Sequence, residues 1–197
     1  VPGRVDASGM VNRCVNLNWG VFNLHDALGI LTGLRVRAGN DANCAALGEF
    51  WMGGGSGCRS AIFVTLGTGI GGGVIVDGRL LTGAHGVGGE LVTKKRLAES
   101  TEPSCLRGMA DFACKDVFDA ARGGDAFAVE TLEQVFDYLG EALADACCVC
   151  DPERIILGGG VSRAGDYLLR GVERHFRLHM FHACKDTQFA LATLGND

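Results

Sequence analysis

No stretch of this 197-residue chain approaches the ~20 consecutive apolar residues that a helix needs to cross a bilayer. No cluster of lysine and arginine breaks its net charge of −5, which argues against a nucleic-acid surface or an anionic membrane as partner. A charged segment leading into an apolar one, the mark of a secretory signal, is also missing from its start. The nine cysteines are odd in number and irregularly spaced, so reduced thiols in the cytoplasm are expected in place of a disulfide framework. Nor does a Lys-Ser or Lys-Thr pair follow the glycine turn at 66–73, which excludes a Walker loop there.

What is present is the composition of an ordinary folded chain, 47% hydrophobic and 21% charged, long enough for one large domain or one and a part. Both ends read as lying inside a fold. "VPGRVD" opens on a strand and turn, and "FALATLGND" stops where a closing helix is expected, so a fragment is the expectation.

Strands and helices alternate along the chain. Apolar periodicity predicts a strand over 9–17, a helix over 20–33 closed by glycine, a strand over 34–39 and a helix over 42–50. After the "GGGSG" loop at 53–57, dense β-branched and apolar residues predict buried strands over 60–67 and 72–83. From Asp125 a long amphipathic helix is marked by Leu132, Val135, Phe136, Leu139, Leu143, Cys147 and Cys150. A strand, glycine turn and helix start follow over 154–162, and a last strand over 187–195. This order predicts an α/β fold.

Two turns and one joint carry candidate chemistry. "LGTGIGGG" (66–73) has five glycines in seven positions. Without Cβ atoms its amides can form an anion nest, with Thr68 adding a hydroxyl; a hairpin turn is the alternative. "GGG" at 158–160, between a strand and a helix, can present amides to a nucleotide or be a tight loop with no ligand. At the third place Asn40, Asp41 and Asn43 crowd the joint between 34–39 and 42–50. Asp41 can cap the helix, or sit where α/β sheets bind ligands and accept the proton of an attacking hydroxyl. Asn40 and Asn43 offer amides suited to hydroxyl-rich ligands.

The segments "PGRVD", "NLNW", "NDANCAALGE", "TLGTGIGGGVIVDG", "GAHGVGGEL" and "IILGGGVSRAGD" occur in the order and style of the ROK family of bacterial sugar kinases and sugar-responsive repressors. "NLNW" and "TLGTGIGGG" most resemble its glucokinase branch. The resemblance implies an actin-like, ribonuclease-H-like fold with two α/β lobes around a cleft. Residues 1–52 would be part of the small sugar-binding lobe and 53–197 an incomplete large nucleotide-binding lobe. It further implies Asp41 as catalytic base, with Gly3, Asn40 and Glu90 at the sugar. Thr68 and Gly69 would hold ATP phosphates and Gly159 and Gly160 would lie near the adenosine, with Mg2+ bridging phosphates. The implied reaction is transfer from ATP to a hexose hydroxyl, glucose being favoured, in a cytoplasmic homodimer. A repressor whose DNA-binding domain precedes residue 1, or a non-catalytic fragment, are the rival readings.

Departures from the family pattern accompany the match. The first phosphate turn of the family has no counterpart, and "GGEL" runs into "VTKKRLAES" where the family carries a histidine, zinc-binding cysteines and a second glutamate. A block is therefore expected to be missing between about Leu91 and Lys94. "CCVC" (147–150) falls on the amphipathic helix and reads as core packing, since zinc would want a turn-forming pair and two further ligands. His85, in "GAHG" near Glu90, is expected in a solvated turn, with a place beside the pocket as the alternative. His175, His179 and His182 share one face of a basic-flecked helix, with a surface or dimer role.

Overall fold

The computed structural model describes residues 1–3, 5–6, 8–11, 14, 17–67, 70–81, 104–108 and 113–195. Its centre is a five-stranded sheet of β3 (Ala61–Leu66), β4 (Ile70–Val76), β5 (Arg79–Leu81), β6 (Arg154–Gly158) and β7 (Gln188–Leu191). The order is β5-β4-β3-β6-β7. β4 is antiparallel to both β3 and β5, whereas β3, β6 and β7 run parallel.

Side chains of β3 alternate between two cores, as the pleat requires. Ile62, Val64 and Leu66 join the larger core with Ile155 and Leu157 of β6. On that face lie three helices: α3 (Cys114–Arg122), α4 (Ala126–Cys150) and α5 (Asp166–His179). Ala61 and Phe63 point the other way and pack with Ile75, Ile156 and Ala46 of α2 (Asp41–Met52). The result is an α/β sandwich, helices on both faces of a mixed sheet.

α4 forms as its pattern requires. Asp125 caps its first turn by accepting from the Ala128 amide, and Leu132, Phe136, Leu139, Leu143 and Cys147 are buried along one stripe. Cys150 packs at the edge of the same core. Each such large apolar side chain contributes about 1.5–3 kcal/mol when fully buried. The nine cysteines are free, and no group of three metal-ligating side chains occurs among the described residues.

Four expectations are corrected. The strand over 9–17 shrinks, among the described residues, to β1 (Met10–Val11), paired with β2 (Phe22–Asn23). The helix over 20–33 starts later, as α1 (Leu24–Thr32), because the Asn23 side chain caps it. Residues 34–39 form no strand: Leu34 is exposed, the Ala38 amide donates to Nε2 of His25, and the segment has no ladder partner among the described residues. The apolar run at 72–83 is not one strand but the end of β4, a turn and β5. Asp77 (φ 49°) and Gly78 (φ 74°) make the left-handed pair that a two-residue hairpin needs.

Candidate functional site

The joint at Asn40 is built by its own side chains. Asn40, and not Asp41, caps α2: its Oδ1 accepts from the Asn43 amide at 3.0 Å. Its Nδ2 reaches the Gly3 carbonyl at 3.3 Å. The Asp41 amide donates to the Val1 carbonyl at 3.0 Å, tying residues 1–3 to the start of the helix a second time. Asp41 is thereby released from capping. It occupies the first helical position, its carboxylate exposed and, among the described residues, bonded only to the Ala42 amide at 2.9 Å. A carboxylate there is favoured by the partial positive charge of the helix N-terminus.

The glycines of β4 decide where that helix end stands. A Cβ added to Gly71 would come 3.2 Å from the Cβ of Ala42, and one added to Gly73 would come 2.5 Å from that of Ala46. Only a glycine-lined strand lets α2 approach so closely. The glycines at 71–73 thus lie inside β4, which begins at Ile70. Thr68 and Gly69, just ahead of it, fall outside the described residues, as do Glu90 and His85.

The second glycine turn meets the same edge of the sheet. Thr65 near the end of β3 is paired with Gly71 on one side and with Gly158 on the other. Neighbouring strands lie about 4.8 Å apart, so Gly71 and Gly158 flank Thr65 across roughly 10 Å. Gly159 has φ +83°, and a Cβ there would sit 2.4 Å from the Leu66 carbonyl oxygen and 2.7 Å from Oγ1 of Thr65. Glycine is therefore obligatory, and it leads into a 3-10 helix at Gly160–Ala164. Beside Gly160 a Cβ would meet nothing within 4 Å, so its open side is accessible. Gly3, Asn40, Asp41, Gly159 and Gly160 are in this way grouped at the carboxyl ends of β3 and β6. That edge is the one where open α/β sheets bind ligands.

One residue of the site's frame escaped sequence reasoning. Glu49 is buried, 3% exposed. Its Oε1 accepts from the Thr193 and Leu194 amides at 2.9 and 2.8 Å, and its Oε2 from Gly54 at 2.8 Å. It fastens α2 to the chain beyond β7. The available signal was its register: Ala42, Ala46 and Glu49 follow the spacing of one helix face, so an acid stands where an apolar residue belongs.

The histidine and cysteine readings divide. Cys147 is an inert core thiol, with burial and the neighbouring thiols of Cys184, Cys150 and Cys148 pushing its pKa up to about 12. His175 and His179 do share a face of α5, but His182 does not, because α5 ends at His179 and His182 opens a separate 3-10 helix at His182–Asp186.

Comparison with known proteins places this arrangement. The profile of the ROK family matches residues 1–105 and again 93–197. A glucokinase of Halalkalibacterium halodurans is 36% identical over 233 aligned positions, covering 100% of this chain and 71% of the relative. A glucokinase of Thermotoga maritima is 37% identical over 205 positions, covering 85% of this chain and 64% of that protein. Among solved structures, a ROK family glucokinase from Streptomyces griseus in complex with glucose and AMPPNP superposes with a TM-score of 0.83. It is 31% identical, with 98% of this chain and 75% of that one covered. A ROK family transcriptional regulator, homolog of the E. coli MLC protein, superposes with a TM-score of 0.87 at 26% identity, covering 98% of this chain and 57% of that one. The fold is the actin-like, ribonuclease-H-like ATPase fold of these proteins, and the chain belongs to the ROK family.

Proposed function

We propose that this chain is the greater part of an ATP-dependent sugar kinase, and that its acceptor is a hexose hydroxyl, most favourably that of glucose. The observation that carries the reading is the freed carboxylate of Asp41. A neighbouring side chain takes over the capping of α2, leaving an exposed acid at the edge of the sheet where Gly159 and Gly160 also lie. The glucokinase names of the two relatives support the same activity. The solved relative that holds glucose and AMPPNP together supports the ligand pair.

In this proposal the sugar lies against Gly3, Asn40 and Glu90, the Asn40 amide having a second hydrogen beyond the one it gives the Gly3 carbonyl. Asp41 accepts the hydroxyl proton as the sugar oxygen bonds to the γ-phosphorus and the bond to the departing ADP breaks. Thr68 and Gly69 cradle the phosphates through main-chain and hydroxyl donors, and Gly159 and Gly160 leave room beside the adenosine. A magnesium ion bound with ATP would supply neutralisation of the phosphate charge, a role that oxygen ligands and water suit. The sugar-side segment 1–52 and the nucleotide-side segment 53–197 close on the ligands and exclude water. α2 belongs to the first segment by sequence but packs on β4 and is tied through Glu49 to Thr193, so the closing motion falls to the residues ahead of it. Cytoplasmic location and a homodimer belong to the same proposal.

A block between about Leu91 and Lys94 is absent relative to the family. In support, the family profile matches in two overlapping pieces, and the Halalkalibacterium alignment runs over 233 positions against 197 residues here. The test is ATP-dependent phosphorylation across a panel of hexoses and N-acetylhexosamines, with Asp41→Asn as control. Loss of a general base costs about 10²–10⁴ in kcat. Equal rates in the variant reject the assignment of Asp41, and no turnover with any sugar favours a non-catalytic chain.

A second reading is supported by the TM-score of 0.87 to the transcriptional regulator. Specific DNA binding by the full-length protein, relieved by sugar, favours it over the kinase.

A further inference from the structure

Away from the sheet edge, α4 and α5 meet along a rim where acids of one helix face bases of the other. The helices are forced close. A Cβ on Gly140 would come 2.6 Å from the Phe176 amide nitrogen, and one on Gly171 would come 2.4 Å from the Phe136 ring. This approach presses His175, only 14% exposed in its side chain, between two carboxylates of α4. Its Nδ1 lies 3.0 Å from Oδ1 of Asp137 and its Nε2 lies 2.9 Å from Oε2 of Glu133. One turn on, Nε2 of His179 lies 2.7 Å from the same Asp137 oxygen, and Arg174 donates to both oxygens of Glu133.

A carboxylate oxygen can only accept, so a ring with both nitrogens against carboxylates is satisfied only when both carry hydrogen. The neutral ring would aim a lone pair at one of the two acids. We propose that His175 and His179 of α5, with Glu133 and Asp137 of α4, form a proton-operated clasp. With His175 doubly protonated α5 is fastened to α4, and on loss of that proton the fastening is released.

The surrounding charges set the direction. The bond to Asp137, aided by the charges of Asp137, Glu141 and Asp145, raises the His179 pKa above its ordinary value. The bonds from His179 and then His175 hold Asp137 below the usual carboxylate range. Burial pushes Glu133 up, but the bonds and charges of His175 and Arg174 outweigh it and leave it low. Arg170, paired with Asp166 at 3.6 Å, and the Arg177–Glu173 pair at 2.9 Å are further charged groups of α5, and Glu130 stands one turn before Glu133 on α4. A raised histidine contributes stability that is complete below its unfolded value of ~6.5 and disappears as pH climbs through the folded one. The depressed acids contribute above their unfolded value of ~4 and fail as pH falls through the folded values. The clasp therefore holds best from mildly acidic to neutral pH and loosens on the alkaline side. α5 packs on the 3-10 helix that follows Gly159, so its fastening steadies the element behind that turn.

The test follows the histidine ring nitrogens of the unmodified chain by NMR while thermal unfolding is measured from about pH 6 to about pH 9, a range that brackets histidine titration. Both ring nitrogens of His175 should be protonated at the acidic end, and loss of the second proton should coincide with a falling melting temperature. The double variant His175→Gln, His179→Gln should lose most of that pH dependence, as should Asp137→Asn if the double variant does not fold. A neutral His175 ring at about pH 6, or a variant whose melting temperature falls over this range as steeply as the parent's, overturns the proposal.

Discussion

Replacing Glu49 tests whether α2 is held in place by its buried acid. In the parent, three backbone amides, those of Gly54, Thr193 and Leu194, point at one carboxylate that is 3% exposed. Glu49→Ala removes the acceptor from all three. A buried donor left unpaired costs about 1–3 kcal/mol, so three could cost roughly 3–9 kcal/mol. Two effects bring the figure toward the lower end. Leu194 is half exposed, so water can reach its amide, and the variant no longer carries a charge out of solvent. The expected loss is about 3 kcal/mol, a large share of the roughly 5–15 kcal/mol of an ordinary domain. For a chain of this size that lowers the melting temperature by about 6–12 °C. Glu49→Gln keeps one oxygen, which can serve Thr193 and Leu194 while its NH2 confronts the Gly54 amide; about 1–2 kcal/mol is expected. Denaturant unfolding gives the order parent, Gln, Ala. Hydrogen exchange at the amides of Gly54, Thr193 and Leu194 locates the effect. A loss below about 0.5 kcal/mol in the alanine variant, with those three amides still protected, would refute the reasoning, because surface-like substitutions have that size.

Two further outcomes follow from the packing. Gly73→Ala should destabilise the chain by about 1–3 kcal/mol through overpacking, since its methyl group would meet Ala46 at 2.5 Å, whereas Gly67→Ala, which meets nothing within 4 Å, should cost little in the same unfolding assay. Alkylation followed by mass spectrometry at mildly alkaline pH should modify the exposed Cys44 and Cys148 before the buried Cys147, whose thiol is pushed up to about 12 and yields almost no thiolate.

Much of the fold was legible because long elements announce their faces. The stripe on α4 follows from apolar spacing at a period of 3.6, and the two cores of β3 from a nearly unbroken apolar run that buries both faces of the strand. The misreadings are local and have local causes. Residues 34–39 alternate like a strand, yet a strand needs a partner, and pairing is invisible in a single segment. The run at 72–83 concealed an Asp-Gly turn because apolar density on both sides outweighed one dipeptide. Asp41 was weighed as a possible cap because its type allows it. Which of two adjacent capping residues takes the role depends on backbone angles, and Asn40 has the extended ones.

The glycine excess at 66–73 carries the larger lesson for the site. Five glycines in seven positions suggested amides arrayed around an anion, but the described ones at 71–73 lie in a strand with a helix pressed onto them. Their lack of side chains sets how closely α2 can approach β4, and hence how near its first residue stands to the end of β3. Gly159 does the equivalent on the far side, where its contact with Leu66 brings the second turn up to the same strand end. Small residues here act first through packing, and any ligand contact at the turn would use a geometry that packing has already set. A larger residue at 71 or 73 should therefore impair the placement of Asp41 without touching a phosphate, and one at 159 should displace the other wall.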